Sequence, residues 1–344
     1  MSTRITIEGE KFLFNGVPTY KGRSFAGKPV EGLLFNTRMV QATFDDENPD
    51  SRNRWAYPDT GKWDAERNVD EFIAAIPTYL AHGIKAVTIN LQGGMPVTGT
   101  ERTQPWLNSA LTPQGELKPA YMRRIEKLLR ACDDKGLGVI VGYYYFGQDE
   151  NMADEAAVIR GVDNATHWLL ETGLENILVE VNNECDVPLY EHEILTPPRI
   201  HELVEQARDI SVGGRRLLVS TSFTHGPFLA KRGVTPVDKV FAASDFILFH
   251  TNNLDPSGTR QAIEVIHGNA TFQASRKPIV INEDSIRVDN MDEAFQHYVP
   301  WGYYDQGQNN YRDGFQSPPV NWSISTPEKK RFFDRVAEIT GAKG

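Results

Sequence analysis

The sequence predicts an α/β protein, a (β/α)8 TIM barrel with an N-terminal β-hairpin closing the barrel floor. Three observations carry this. Eight short β-prone runs alternate with amphipathic helical segments along the 344 residues. The runs are nearly continuous in apolar residues, as parallel strands covered by helices must be. Several helical segments end in glycine just before the next run, where the turn needs a residue tolerant of positive φ. Eight such units imply closure into a barrel; an open doubly wound sheet is the competing reading.

In chain order, residues 4–20, ITIEGEKFLFNGVPTYK, set Asn15-Gly16 between β-prone stretches. This dipeptide is a strong hairpin signal, and the hairpin is assigned to residues 1–25. The eight β runs span 30–44, 84–91, 137–146, 177–184, 217–223, 246–250, 278–283 and 298–304. Between them apolar residues recur at helical spacing: Phe72, Ile76 and Leu80, then Ile125, Leu128, Leu129 and Cys132, then Val158, Val162 and Leu169, then Leu203, Val204 and Ala207, then Ala262 and Ile266. A last helix carries Phe332, Val336 and Ile339, and the glycine stops are Gly83, Gly136, Gly173 and Gly213. The longest polar connections, 45–64, 92–116 and 305–322, follow runs one, two and eight. In a barrel such loops leave the carboxyl ends of strands and build the active-site face. No composition shift marks a linker, so a single domain over 1–344 is expected.

Composition narrows the function. A chain 40% hydrophobic and 24% charged builds a globular core. With 36 basic against 46 acidic residues the net charge is −10, which argues against nucleic acid or an anionic membrane held by a basic surface. A neutral ligand is expected instead. No window approaches the roughly 18–20 apolar residues of a membrane span. The start MSTRITIEGEK lacks the apolar region of a secretory signal, so a cytoplasmic location is expected, or a secreted or periplasmic one if a leader has been removed. Cys132 and Cys185 make no disulfide framework, and Cys132 reads as a buried helix position.

Two carboxylates stand out by position. Glu184 closes the fourth run in VEVNNEC and Glu283 closes the seventh in PIVINED. A barrel projects both toward the same mouth. Paired carboxylates across a cleft suit glycosidic bond cleavage: one protonates the leaving oxygen while the other attacks the anomeric carbon or activates water. Their separation decides the outcome, about 5–5.5 Å for retention and about 6.5–9.5 Å for inversion. Zinc, phosphate-loop and serine-hydrolase chemistry find no support, since HExxH, GxGxxG, GxxxxGK[ST] and GxSxG are all absent. No metal or organic cofactor is expected.

VEVNNECD resembles the strand-4 motif of the retaining clan A glycoside hydrolases, and KPIVINEDS their strand-7 segment. FLFNGVPTYKG is similar to their N-terminal hairpin, HGIKAVTINL to their second strand and DKGLGVIVGYY to their third. The cellulase-like family 5 is the nearest relative suggested. The resemblance implies an O-glycosyl hydrolase acting on β-linked oligo- or polysaccharides or glycosides, with Glu184 as acid/base, Glu283 as nucleophile and Asn183 on the sugar 2-hydroxyl. Glu180 would be structural and paired within the barrel. Three departures from family 5 are visible. Cys185 stands where its pattern has Pro, His250-Thr251-Asn252 replaces His-x-Tyr, and Gln92 occupies the second-strand Arg position, leaving Arg38 on the first strand as the nearest guanidinium. Arg38, Gln92, His250 and Asn252 are therefore expected to bind substrate, and Trp301 to form the sugar platform. Trp55, Trp63 and Trp106 are further candidate platforms in the long loops. A carbohydrate-binding barrel without activity is the alternative.

Overall fold

The computed structural model describes residues 2–96, 104–224 and 237–343. At its start, β1 (Ile5–Glu8) pairs antiparallel with β2 (Lys11–Phe14), and β2 pairs with β3 (Val17–Pro18). Asn15 and Gly16 form the two-residue connection of β2 to β3 with φ of 53° and 76°. Both values are positive, as the turn that matches strand twist requires. The hairpin predicted from Asn15-Gly16 is thus present, and a second turn at Gly9-Glu10 joins Glu8 to its partner Lys11. A short ribbon follows, β4 (Ser24–Phe25) with β5 (Lys28–Pro29).

The barrel strands are β6 (Asn36–Arg38), β7 (Ala86–Asn90), β8 (Gly138–Tyr144), β9 (Ile177–Asn182), β10 (Leu218–Ser220), β11 (Ile247–His250), β12 (Ile279–Glu283) and β13 (Gly302–Tyr303). Each falls inside one predicted run. Parallel ladders join them in the order β10-β9-β8-β7-β6-β13, and β11 pairs with β12. Two seams complete the ring. A parallel bridge links Thr224 to His250, with Asp245 N donating to Val219 O at 2.8 Å. Ile281 N donates to Pro300 O at 3.1 Å beside β13. At the β6–β13 seam Gly302 faces Asn36 and Tyr303 faces Thr37. Gly302 is required there because a Cβ would lie 2.6 Å from the Asn282 carbonyl carbon.

The helices are α1 (Ala65–Ala81), α2 (Pro119–Lys135), α3 (Glu155–Glu171), α4 (Ile200–Asp209), α5 (Val237–Ala243), α6 (Pro256–Gly268), α7 (Ala270–Ala274), α8 (Val288–Gln296) and α9 (Pro327–Thr340). None of them is long and apolar enough to cross a membrane. Side chains of Asp64, Asp154, Asp255 and Thr326 cap α1, α3, α6 and α9 by accepting from backbone N–H groups of the first turn. Each helix turns its periodic apolar face inward: Ile125, Leu128, Leu129 and Cys132 of α2 are fully buried. The α9 end is tied back to the N-terminal region, where Arg23 donates to the carbonyls of Ile339 at 2.9 Å and Glu338 at 2.8 Å.

The floor is sealed as predicted. Ile5 and Phe12 of the hairpin pack with Leu34, Ile140, Leu178, Phe246 and Leu248 in one buried cluster. Phe12 meets Phe246 edge-on at 6.1 Å between centroids, and Ile5 N donates to Glu175 O at 2.9 Å. Burying a side chain such as Phe12 contributes about 1.5–3 kcal/mol. With the floor closed, the polar interior opens at the carboxyl ends of the strands.

Candidate active site

Glu283 is the last residue of β12, and its carbonyl accepts from Thr251 N at 3.1 Å. Glu184 lies two residues beyond β9 and turns sharply, with φ of 48°. That left-handed conformation costs a non-glycine residue on the order of 1 kcal/mol. Hydrogen bonds hold it: Glu184 N donates to Ser222 Oγ at 2.8 Å and Cys185 N to Ser222 O at 2.9 Å. Strand β9 thus ends against the residues following β10, and the Glu184 side chain is turned into the barrel mouth.

The two carboxyl groups meet there. Glu184, His250 and Glu283 each bring one oxygen or ring nitrogen within 4.8 Å of the other two. His250 Nδ1 is 2.9 Å from Glu184 Oε1 and 3.7 Å from Glu283 Oε2. Asn252 Nδ2 donates to Glu283 Oε1 at 2.8 Å. Arg38 lies beneath: Nε binds Glu283 Oε2, Nη2 donates to Asn183 Oδ1, and Nη1 is 3.6 Å from Glu180 Oε2. Glu180 is fully buried, 3.8 Å from His250 Nε2, and accepts from Asn282 Nδ2 at 3.3 Å. The expected structural pairing of Glu180 is therefore observed. The side chains of Glu184 and Glu283 keep 13% and 9% of their surface accessible, whereas Arg38 keeps 1%. The two carboxyl groups face the cleft while their counter-charges lie behind them.

Burial opposes charge on His250, but Glu283 and the hydrogen-bonded Glu180 and Glu184 outweigh it and push its pKa up to about 10. Burial likewise opposes the Arg38 charge, and Glu283 and Glu180 raise its pKa above the ordinary value. For Glu180 burial favours the neutral acid, yet Arg38 and His250 prevail and hold its pKa below the usual range. Glu184, His250 and Glu283 also have the donor types of a metal site.

The cleft above the carboxyl groups has a volume of about 700 Å³, with Tyr145, Phe146, Asn252, Tyr304 and Gln306 among its walls. Met95 represents the strand-2 loop; residues 97–103 of that loop lie outside the described residues. The strand-8 loop contributes Asp305 and Gln306. The strand-1 loop, expected at this face, contributes none of the lining and folds instead around Asp46, which accepts from Trp55 Nε1 at 2.7 Å and from Ser51 Oγ at 2.6 Å.

Arg38, His250 and Asn252 contact the two carboxyl groups, and Asn183 contacts Arg38. Asn183 holds Arg38 through its oxygen and leaves Nδ2 buried without a partner among the described residues. Arg38 and His250 are engaged with Glu283, Asn183 and Glu184. Three expectations are corrected outright. Trp301 is fully buried, donates from Nε1 to Asp284 Oδ2 at 2.9 Å and packs on Phe332, so it is a core anchor and not a platform. Gln92 is also fully buried, with Nε2 on Ser109 Oγ at 3.2 Å, and serves to brace loops. Trp55 and Trp106 pack edge-on at 5.8 Å in a separate buried cluster. Trp63 is half-buried and stacks on Tyr57 at 5.7 Å, away from the cleft walls. Tyr145 and Tyr304 were not singled out from sequence. The available signal was the aromatic run Tyr143–Phe146 at the end of the third strand and Tyr303–Tyr304 at the end of the eighth.

No protein-family model matches the sequence, and no curated protein matches it. Solved structures do. A GH5-4 broad-specificity endoglucanase from Clostridium longisporum superposes with a TM-score of 0.54 at 11% identity, over 89% of this chain and 96% of that one. A β-mannanase from the blue mussel Mytilus edulis gives 0.54 at 11% over 98% and 97%. A family 1 β-glucosidase from Thermotoga maritima gives 0.54 at 10% over 90% and 99%. At such identity the likeness is one of architecture: the chain has the fold of the clan A glycoside hydrolases.

Proposed function

We propose that this protein hydrolyses β-linked glycosides with retention, Glu283 forming the glycosyl-enzyme and Glu184 acting first as acid and then as base. The observation that carries the reading is the approach of the two carboxyl groups, whose nearest ligand oxygens lie within 4.8 Å. Such proximity supports retention, which works at a carboxyl separation of about 5–5.5 Å, over inversion, which works at about 6.5–9.5 Å.

The surroundings suit these roles. A nucleophile must be ionised and fixed in direction. Arg38 and Asn252 each hold one Glu283 oxygen and so fix its direction. Glu184 is aimed by His250. In the first step Glu184 gives its proton to the departing oxygen as Glu283 attacks the anomeric carbon. In the second, Glu184 takes a proton from water, which displaces Glu283 and releases the sugar with its original configuration. Asn183 Nδ2 is a free donor beside Glu184 for the sugar 2-hydroxyl, a contact that strengthens in the oxocarbenium-like transition state. The substrate is an oligo- or polysaccharide or a simpler glycoside.

The test is intact-protein mass spectrometry after incubation with a panel of 2-deoxy-2-fluoro aryl glycosides, followed by peptide mapping. A stoichiometric adduct on Glu283 is expected. No adduct, together with no release of leaving group from ordinary aryl glycosides, overturns the proposal in favour of a binding barrel.

A further inference from the structure

Tyr145 follows directly on β8 and lines the cleft together with Glu184 and Glu283. It is 8% exposed; among the described residues no hydrogen bond is made by its hydroxyl, which is not one of the sealed, unpartnered polar atoms and so meets the cleft. A phenol with its ring packed and its hydroxyl at a cleft is placed to donate to whatever occupies that cleft. Its surroundings hold the ring in place. The Tyr145 carbonyl accepts from Gln148 N at 3.2 Å and Asp149 N at 3.3 Å. The ring lies 4.4 Å from that of Phe146 between centroids. On the other side is Gly93, with φ of 104°, where any Cβ would overlap Tyr145 Cβ and Cγ. A glycine in an unusual conformation thus makes room for this one side chain.

The hydroxyl also stays a donor. Burial first, and then the negative charges of Glu283 and Glu184, hold the phenol pKa well above its ordinary value. At any working pH Tyr145 carries its proton, close to the carboxylate that receives the sugar.

Resting on the glycosidase reading above, we infer that Tyr145 is a substrate-contacting residue: its phenol donates a hydrogen bond to a hydroxyl of the neutral sugar held against Glu283, and Gly93 is the position that allows it. Asn252 occupies the strand-6 position already noted as a departure and holds Glu283 Oε1.

The experiment compares wild type and Tyr145→Phe on the aryl β-glycosides that wild type cleaves, and on the monodeoxy series of the best of them. Wild-type turnover is scored first, so failure of the glycosidase reading registers separately, and the inference falls with it. Where wild type is active, Tyr145→Phe is expected to lower kcat/KM about tenfold with an unchanged melting temperature. On one monodeoxy substrate the two proteins should agree within twofold, identifying the partner hydroxyl. Gly93→Ala is expected to reduce kcat/KM in the same substrate pattern. A Tyr145→Phe enzyme within twofold of wild type on every substrate overturns the inference, as does an equal loss across the whole deoxy series, because a merely structural role would not single out one hydroxyl.

Discussion

His250 Nδ1 stands 2.9 Å from Glu184 and 3.7 Å from Glu283, so a single imidazole spans the two carboxyl groups of the cleft. Its folded pKa of about 10 lies above the ordinary 6.5. A raised histidine pKa stabilises the fold fully below the unfolded value, and the contribution is lost as pH rises through the folded value. Between about pH 6.5 and 10 the melting temperature of wild type is therefore expected to fall more steeply than that of His250→Gln. Parallel melting curves across that window would remove His250 as the linked group.

Removing Arg38 leaves Glu283 and Glu180 facing each other without their guanidinium. An uncompensated buried charge costs about 3–5 kcal/mol, and Arg38→Met is expected to lose that much in urea denaturation. Arg4→Met provides the contrast, since Arg4 is 66% exposed in its pair with Glu175 and an exposed pair is worth about 0–1 kcal/mol. Equal losses would show that burial does not set the value of the Arg38 cluster.

Cys185 N–H donates to Ser222 O directly after the left-handed Glu184. Proline would delete this donor and push Glu184 out of its conformation. Cys185→Pro is expected to lose at least about a hundredfold in activity, roughly 3 kcal/mol of barrier, while Cys185→Ala stays within about tenfold. An active proline variant would show that Glu184 does not depend on this turn.

Trp301 bonds a buried carboxylate and does not touch the cleft. Trp301→Phe leaves Asp284 short of a donor, at a cost of about 1–3 kcal/mol. The measurement is calorimetry beside kinetics: the melting temperature should drop while KM stays within twofold. A KM increase at unchanged stability would restore the platform role.

Glu184→Gln and Glu283→Gln keep shape and remove charge. Each is expected to lower kcat by at least about a thousandfold, some 4 kcal/mol of barrier. Activity within about tenfold for either variant would displace that residue from the chemistry.

The barrel was legible because strand and helix periodicities are local properties of the chain. Runs such as IKAVTINL and LGVIVGYYYF each produced their strand. Asn15-Gly16 announced its turn for the same reason. Residues Glu184 and Glu283 could be placed because a barrel fixes where strand ends point. Depth was not legible: Trp301 and Tyr304 are three positions apart, yet one is sealed in the core and the other faces the cleft. Only the packing of α9 and the Asp284 carboxylate decides between them. Gln92 was misread likewise, because its partners Ser109 and Gln148 arrive from distant loops.

The β6–β13 seam brings Thr37 to Tyr303, 266 positions later. At roughly 5–20 residues per second of synthesis, the partner of β6 is made about 13–50 s after β6 itself. During that time the ring cannot close, and β6 waits with an unpaired edge. At three residues, β6 offers little template to another chain. The shortness of β6 and β13 therefore keeps small the edge left open at this seam until the last strand is made.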